Sequence, residues 1–305
     1  MTEYPRDMIG YGGIYPNANW PNKAKLAVQF VLNYEEGGEN NILHGDGASE
    51  TFLSEIIGAV PFEDSRHMSM ESMYEYGSRA GVWRILDLFR NNEIPLTVFS
   101  VAMALERNPL FCERVLKDNH EICSHGLRWI NYQNIPINIE RAHMQEAIEI
   151  QKKLCGQRPL GWYTGRTSIN TRNLVVEDGG FLYDSDDYSD DLPFWSVVVK
   201  KPHLIIPYTL DVNDMRFATN QGFNSGEQFF NYLKDTFDTL YHEGKKNPKM
   251  MSIGLHCRLI GKPGRFMALK NIISYMKKFD DIWFAKRIDI ANHWRNLFPY
   301  KENLN

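Results

Sequence analysis

The chain has 305 residues, of which 43% are hydrophobic, a composition that suits one or two compact domains with a large core. Its net charge of −4 argues against a general nucleic-acid binder, and no apolar run approaches the roughly 20 residues of a membrane span, so we expect neither kind of partner. The polar start predicts no secretory signal, and four scattered cysteines without CxxC spacing indicate reduced thiols, so we expect a cytoplasmic protein.

The first elements are an arm and a buried strand. Residues 1–24 are rich in Gly, Pro, Asn and Tyr, which predicts an ordered arm that packs on a neighbouring surface within the chain or across a subunit boundary. From Leu26 to Asn33 both alternating sets are largely apolar, which is typical of a strand in a parallel sheet. The strand ends in Glu35, Glu36 and two glycines. Buried carboxylates are costly unless solvated, paired or used, so this tip is either a solvated turn or part of a site.

An irregular insert of about residues 40–70 follows this strand. A loop this long is usually functional or disordered, and its apolar residues argue for order. A helix is then predicted to begin near Ser78. Its buried face consists of apolar residues at helical spacing, namely Val82, Ile85, Leu86 and Phe89.

Strands and helices alternate along the rest of the chain. Further strands are predicted at 94–102, 120–126, 158–166, 180–187, 203–214, 250–258 and 282–285, and helices at 108–118, 139–154, 170–177, 226–243, 266–279 and 289–297. This order predicts an α/β fold with a parallel sheet. Seven to eight strands favour a (β/α) barrel over an open sheet, formed by a single catalytic domain over residues 1–305. No G-x-G-x-x-G follows the first strand, which weakens the dinucleotide-binding alternative.

Polar side chains recur at the predicted strand tips, where a (β/α) barrel carries its active site. These residues are Glu35, Glu36, His125, Tyr163, Arg166, Asp184, Asp186, Asp214, His256 and Arg258. An aspartate after a strand is often a helix N-cap, which is our interpretation of Asp184 or Asp186. A lone buried histidine is often a hydrogen-bonded core residue. Two carboxylates and two histidines at separate tips, however, predict a polar hydrolytic pocket.

The order of the tips resembles the polysaccharide deacetylase (NodB-homology) superfamily, which implies a distorted, NodB-like (β/α) barrel. That family has an Asp pair after the first strand, a His-x-x-x-His motif after the third and a Leu-x-His motif near the end. Here Glu35-Glu36 stand at the first position, Ser124-His125-Gly-Leu-Arg-Trp129 at the second and Leu255-His256 at the third. Trp129 replaces a metal-binding histidine, and indole offers no lone pair to a metal. Since a catalytic zinc needs at least three protein ligands, we expect no metal and no cofactor.

These departures resemble one branch of the superfamily, the metal-independent allantoinases of the PuuE type. The similar stretches are residues 33–39, 67–83, 120–126, 161–167, 213–217 and 254–261. The resemblance implies hydrolysis of the hydantoin ring of allantoin, a small ureide, to allantoate in purine breakdown. It also implies a homo-oligomer, with a tetramer expected.

The resemblance further implies a role for each tip residue. Glu35 stands at the position of the base, and His256 at that of the general acid. Glu36 is a second carboxylate that orients His125 or binds substrate N–H groups. If both carboxylates enter one pocket, repulsion raises the pKa of one of them; if they point apart it does not, so which is the base stays open.

The substrate-binding residues are His125, Trp129, Tyr163, Arg166, Asp214 and Arg258. His125 is expected to donate to a substrate carbonyl and Trp129 to cover the flat ring. Arg166 and Arg258 match ureide oxygens, and Asp214 accepts from ureido N–H groups.

Two rival functions remain open. One is a zinc-dependent deacetylase of a carbohydrate or peptidoglycan, although the insert at 40–70 suggests a closed pocket for a small ligand. The other is a catalytically silent protein that binds a ureide or a sugar. The presence of both carboxylates together with His256 argues against the second rival.

Overall fold

Strand β1 (Leu26–Tyr34) lies at the centre of a curled parallel sheet, and all nine of its residues are buried. The structure is a computed structural model that describes residues 4–302; the remaining positions of the predicted arm and domain, 1–3 and 303–305, lie outside the described residues. The other strands are β2 (Leu96–Ser100), β3 (Glu121–Ser124), β4 (Gly161–Trp162), β5 (Tyr183–Asp184), β6 (Phe194–Val198), β7 (Lys201–Ile205), β8 (Lys249–His256) and β9 (Ile282–Phe284).

Helices connect most of these strands. They are α1 (Met68–Tyr76), α2 (Val82–Asn92), α3 (Ala102–Arg107), α4 (Pro109–Lys117), α5 (Ile137–Cys155), α6 (Thr171–Asp178), α7 (Gly226–Glu243), α8 (Pro263–Met276) and α9 (Arg287–Leu297). A π-helical turn (Gly77–Gly81) joins α1 to α2, and short 3-10 helices occur at Pro21–Lys23, Ile42–His44 and Asp214–Ala218. No helix within residues 4–302 is long and apolar enough to cross a membrane.

The sheet has the strand order β6-β7-β5-β4-β3-β2-β1-β8. All pairs are parallel except β6 with β7, and β9 pairs with the first three residues of β1. No ladder joins β7 to β8 over the described residues, so the sheet curls without closing. The prediction of a distorted (β/α) barrel is therefore confirmed.

Strand register brings the tips of four strands together. Asn33 of β1 pairs with His256 of β8, and Tyr34 pairs with Ser100 of β2. Ser100 in turn pairs with Ser124 at the end of β3. The carboxylates that follow β1, the histidine that follows β3 and the last residue of β8 therefore share one edge of the sheet.

The boundaries of several predicted elements were wrong. The first helix begins at Met68, ten residues before Ser78, because the glycines of the π-helical turn continue the helix instead of ending it. The predicted helix 108–118 is preceded by α3, and Pro109 starts α4 anew with the Asn108 side chain as its cap. The predicted strand 203–214 ends at Ile205, close to Pro207. The hairpin strand β6 was not predicted, because its half-exposed residues lack a buried face.

The insert and part of the arm both pack against the barrel. Phe52 of the insert stacks on Trp129 with ring centroids 6.2 Å apart, and the Leu53 carbonyl accepts a hydrogen bond from Arg258. In the arm, buried Trp20 donates its indole N–H to the carbonyl of Lys249 at 2.8 Å. This part of the arm therefore packs within the chain, and the insert covers the tips of the strands.

Candidate active site

Glu35 is the centre of a buried cluster at the strand tips. Its Oε1 lies 3.3 Å from His125 Nε2 and 3.6 Å from His256 Nε2, and its Oε2 accepts from Arg258 Nη2 at 2.7 Å. Each of these four residues is at most 3% exposed. The described chain thus forms a buried cluster in which a carboxylate contacts two imidazoles and a guanidinium.

His256 is held in position by Asp214, which opens the 3-10 helix Asp214–Ala218. Asp214 Oδ1 lies 2.6 Å from His256 Nδ1, and Oδ2 accepts from the backbone N–H groups of His256 and Ile260 at 2.8 and 3.0 Å. The Nδ1 proton therefore points to Asp214, and Nε2 faces Glu35. This corrects the expected role of Asp214: its carboxylate is already occupied behind the imidazole and does not face a substrate.

Glu36 points away from both histidines. Its Oε2 accepts from the backbone N–H of Glu35 at 3.0 Å, and its Oε1 lies 3.3 Å from Arg258 Nη1. A Cβ atom at Gly77 would come within 2.3 Å of Glu36 Oε1, so only glycine leaves room for this carboxylate. The two adjacent carboxylates therefore diverge and share one arginine.

The charges in the cluster separate the protonation states of Glu35 and His256. Burial alone would raise the pKa of Glu35, but the charges of Arg258 and His256 outweigh it and hold this pKa well below its ordinary value. Burial alone would lower the pKa of His256, but Glu35 and Asp214 outweigh it and raise this pKa to about 9. At neutral pH the pair is therefore a carboxylate beside an imidazolium.

Two further carboxylates are harder to ionise. Burial raises the pKa of Glu36, with repulsion from Glu35 adding to the rise and Arg258 opposing it. Burial likewise raises the pKa of Glu39 to about 7, although its Oε2 accepts from the backbone N–H of Gly37 at 2.6 Å. Both side chains border a cavity of about 320 Å³ that lies beside the cluster.

His125 has no conventional hydrogen bond in the described structure. Both of its ring nitrogens are buried and lack a partner of good geometry, although Nε2 lies near Glu35. The ring packs against Phe99 and Tyr163, with centroids 6.1 and 5.0 Å away. Buried polar atoms without a partner are rare, so this imidazole is available to a water molecule or a ligand.

Other predicted residues form the walls of the site. Trp129 lies against the guanidinium of Arg166, whose Cζ is 3.7 Å from the ring centroid. Arg166 Nη1 also lies 3.5 Å from Oε2 of Glu50 in the insert. The Tyr163 hydroxyl bonds to that of Tyr188 at 3.0 Å. Arg166 therefore fixes the indole and the insert and does not reach the Glu35 cluster.

Asp184 and Asp186 lie outside the cluster and are not helix N-caps as predicted. Asp184 pairs with Arg172 at 3.1 Å. Asp186 accepts from the backbone N–H groups of Thr164 and Gly165. The first contact joins β5 to α6, and the second joins the loops that follow β4 and β5.

Sequence reasoning missed four residues that touch the cluster or its walls. Phe52 and Leu53 of the insert contact Trp129 and Arg258, Tyr74 lies 4.1 Å beneath the Arg258 guanidinium, and Gly77 makes room for Glu36. The only sequence signal for Phe52 and Leu53 was the length and apolar content of the insert, whereas Tyr74 and Gly77 lie before Ser78, where the helix was predicted to begin.

The residues present do not fit the metal that the family's motif implies. Of that ligand set, Glu36 is turned to Arg258, His125 contacts Glu35, and the third position is Trp129. No three His, Cys, Asp or Glu residues between positions 4 and 302 are arranged to hold a metal ion. The atoms around Glu35 do converge, but Arg258 already supplies a positive charge to both carboxylates.

Comparisons with known proteins agree with this fold. The polysaccharide deacetylase family model matches residues 64–179. A Schizosaccharomyces pombe protein, described provisionally as a polysaccharide deacetylase, is 43% identical and aligns over 97% of this chain and 98% of its own length. The crystal structure of a probable polysaccharide deacetylase from Pseudomonas aeruginosa PAO1 is 62% identical, with a TM-score of 0.96 over 98% of this chain and 100% of that one. The crystal structure of PuuE allantoinase is 61% identical, with a TM-score of 0.97 over the same shares.

A curled (β/α) barrel with carboxylates and histidines at its strand tips defines the class as a hydrolase fold of the NodB type. Within that class, the chain belongs to the polysaccharide deacetylase family. Its similarity to the crystal structure of PuuE allantoinase agrees with the branch that the sequence motifs indicated.

Proposed function

We propose that this protein hydrolyses a ring amide bond of a small cyclic ureide and converts allantoin to allantoate, without a metal. The observation that carries the proposal is Glu35, whose Oε1 lies within 3.6 Å of both imidazoles in a buried cluster. The identity of 61% with PuuE allantoinase over 98% of this chain supports the substrate.

The reaction needs a base for water, a partner for the developing oxyanion and an acid for the leaving nitrogen. Glu35 is ionised and takes a proton from water as the oxygen bonds to the ring carbonyl carbon. The unpartnered imidazole of His125 donates to the oxyanion. His256, an imidazolium at neutral pH, protonates the ring nitrogen as the C–N bond breaks. The proton on Glu35 then returns to His256 across 3.6 Å, which restores both groups.

Asp214 supports the acid without touching the substrate. Its carboxylate fixes the Nδ1–H tautomer of His256 and stabilises the imidazolium, so that Nε2–H points into the pocket. The base and the acid therefore have pKa values that the pocket pushes apart, a pattern that suits a concerted transfer of two protons.

The insert supports a small substrate over a polymer. Phe52 stacks on Trp129, Leu53 binds Arg258 through its carbonyl, and Glu50 lies beside Arg166, so the loop covers the strand tips. A flat hydantoin ring matches an enclosed pocket with an indole wall, whereas a glycan chain needs an open groove. We also propose that the protein assembles as a homotetramer, which light scattering coupled to size exclusion tests directly.

The decisive experiment is an activity assay of chelator-treated enzyme on allantoin, other hydantoins and acetylated sugars, with metal analysis of the same sample. We expect allantoate formation that survives chelation. Release of acetate from sugars that chelation abolishes would establish a metal-dependent deacetylase instead. Turnover of no ureide at all would contradict the proposal and leave a binding protein.

A further inference from the structure

The Arg258 guanidinium lies where two buried carboxylates meet. Its Nη2 donates to Glu35 Oε2 at 2.7 Å, and its Nη1 lies 3.3 Å from Glu36 Oε1. Only 1% of Arg258 is exposed. Two buried carboxylates without a compensating cation would be strongly destabilising, so this one side chain balances charge for both.

Arg258 is also held from the sides that face away from the carboxylates. Its Nε donates to the Leu53 carbonyl at 2.7 Å, and its guanidinium lies 4.1 Å from the ring centroid of Tyr74 and 5.3 Å from that of Trp129. All three guanidinium nitrogens therefore already have a protein partner. This differs from the expectation that Arg258 binds ureide oxygens as a free fork.

The backbone around Arg258 is shaped for this arrangement. A Cβ atom at Gly77 would lie 2.9 Å from the Arg258 backbone nitrogen, and one at Gly81 would lie 2.1 Å from the Cys257 carbonyl oxygen. These glycines begin and end the π-helical turn, which lies directly against the end of β8. Such turns occur often at functional sites, because they move a helix face by a single residue.

We infer that Arg258 is the fixed cation of this site and takes, between Glu35 and Glu36, the electrostatic place that a metal ion has in a zinc-dependent centre of this fold. It is a positioning residue, which keeps Glu35 ionised and aimed at the two imidazoles. The effect of Arg258 on turnover rests on the proposed function. The pairing of its charge with Glu35 and Glu36 does not rest on that function, so stability measurements test the pairing whatever the substrate is.

The first test is chemical rescue of Arg258→Ala. The substitution leaves a space lined by Glu35 and Glu36 that matches a free guanidinium ion in charge and shape. We expect guanidinium chloride, well below its denaturing range, to raise the Tm of this variant and to restore part of its activity. Urea, a neutral molecule of the same shape, should do neither. Arg114→Ala is the control, since Arg114 pairs with Asp87 and Asp118 and not with Glu35 or Glu36, and guanidinium should not rescue it.

The second test applies even if Arg258→Ala does not fold well. Arg258→Met keeps most of the side-chain volume and removes the charge, whereas Arg258→Lys keeps the charge. We expect Arg258→Lys to have a higher Tm than Arg258→Met. The double variant Arg258→Met/Glu35→Gln should recover Tm relative to Arg258→Met, because it removes the carboxylate left without a partner.

Two results would overturn the inference. One is a folded Arg258→Ala variant whose Tm responds equally to guanidinium and urea. The other is a double variant that is no more stable than Arg258→Met. Failure of the wild-type enzyme to open any ureide would contradict the proposed function alone, because both results that would overturn the charge pairing are measured as Tm.

Discussion

Asp214 and His256 form a pair in which one carboxylate binds both the side chain and the backbone of the histidine. Oδ1 lies 2.6 Å from Nδ1, and Oδ2 accepts from the backbone N–H at 2.8 Å. The contact therefore fixes the position of the imidazole, its tautomer and its charge together. It links the 3-10 helix after β7 to the tip of β8, across the side on which the sheet does not close.

Asp214→Asn should lower the pH at which activity is lost on the basic side. In the wild-type protein the pKa of His256 is raised to about 9, so kcat/KM should stay level through neutral pH and fall above about pH 9. The amide removes one of the charges that raise this pKa, so the basic limb should move down by at least about one pH unit. Asp211→Asn, three residues earlier in an exposed position, is the control. An unshifted limb would rule out His256 as the acid seen in the profile.

The Asp214–His256 pair should also make the free energy of unfolding depend on pH. The pKa of His256 is higher in the folded protein than its ordinary value of 6.5. The stabilising contribution of protonated His256 to the free energy of unfolding is therefore fully present below pH 6.5, and it is lost as pH rises towards 9. Urea unfolding across this range should show a smaller decline in Asp214→Asn than in the wild type.

Glu35→Gln should abolish turnover while the fold is retained. The amide cannot take a proton from water, so kcat should fall by about 10²–10⁴-fold, with near-ultraviolet circular dichroism unchanged. Glu36→Gln is the matched comparison on the adjacent residue, and it should lose much less kcat, because Glu36 does not contact either imidazole. The reverse ranking would assign the base to Glu36 and contradict the mechanism.

Phe52→Ala tests whether the insert closes the pocket. The Phe52 ring lies 10° from the plane of the Trp129 ring and 5.6 Å from the Arg166 guanidinium carbon. Its loss should loosen the cover, so we expect KM for allantoin to rise about tenfold with a smaller change in kcat. Ile57→Ala, at a residue of the same insert that is 54% exposed, should change neither constant. Equal effects of the two substitutions would contradict the proposal that the insert closes the site.

The sequence was sufficient to predict the barrel and the strand tips that meet. Strand β1 is apolar on both faces, and residues that follow parallel strands must share an edge, so Glu35, His125 and His256 could be placed together. The direction of each side chain was not predictable. Glu35 and Glu36 diverge because of contacts with Arg258, 223 and 222 residues away in the chain.

The walls of the site could not be predicted for a related reason. The carbonyl of Leu53 meets Arg258 across 205 residues, and an insert without periodicity gives no sign of which residue makes such a contact. The helix was predicted to begin near Ser78, just after Gly77, whereas the structure continues it through Gly77 and Gly81 and uses their lack of a Cβ atom. A glycine beside a helical pattern can therefore either end a helix or allow a close contact within it, and only the packing separates the two cases.

Gly77→Ala should damage both stability and catalysis, because the added Cβ atom would lie 2.3 Å from Glu36 Oε1 and 2.9 Å from the Arg258 backbone nitrogen. The backbone contact leaves no easy relaxation, so we expect a loss of about 1–3 kcal/mol in the free energy of unfolding, measured by urea denaturation. A shift of Arg258 also changes the pairing of Glu35, so kcat should fall as well. Gly264→Ala in the first turn of α8 is the control, since nothing lies within 4 Å of its added Cβ atom and alanine favours a helix. That variant should be at least as stable as the wild type and equally active. If Gly77→Ala were equally harmless, the close contact between the π-helical turn and the Arg258 cluster would not exist in solution.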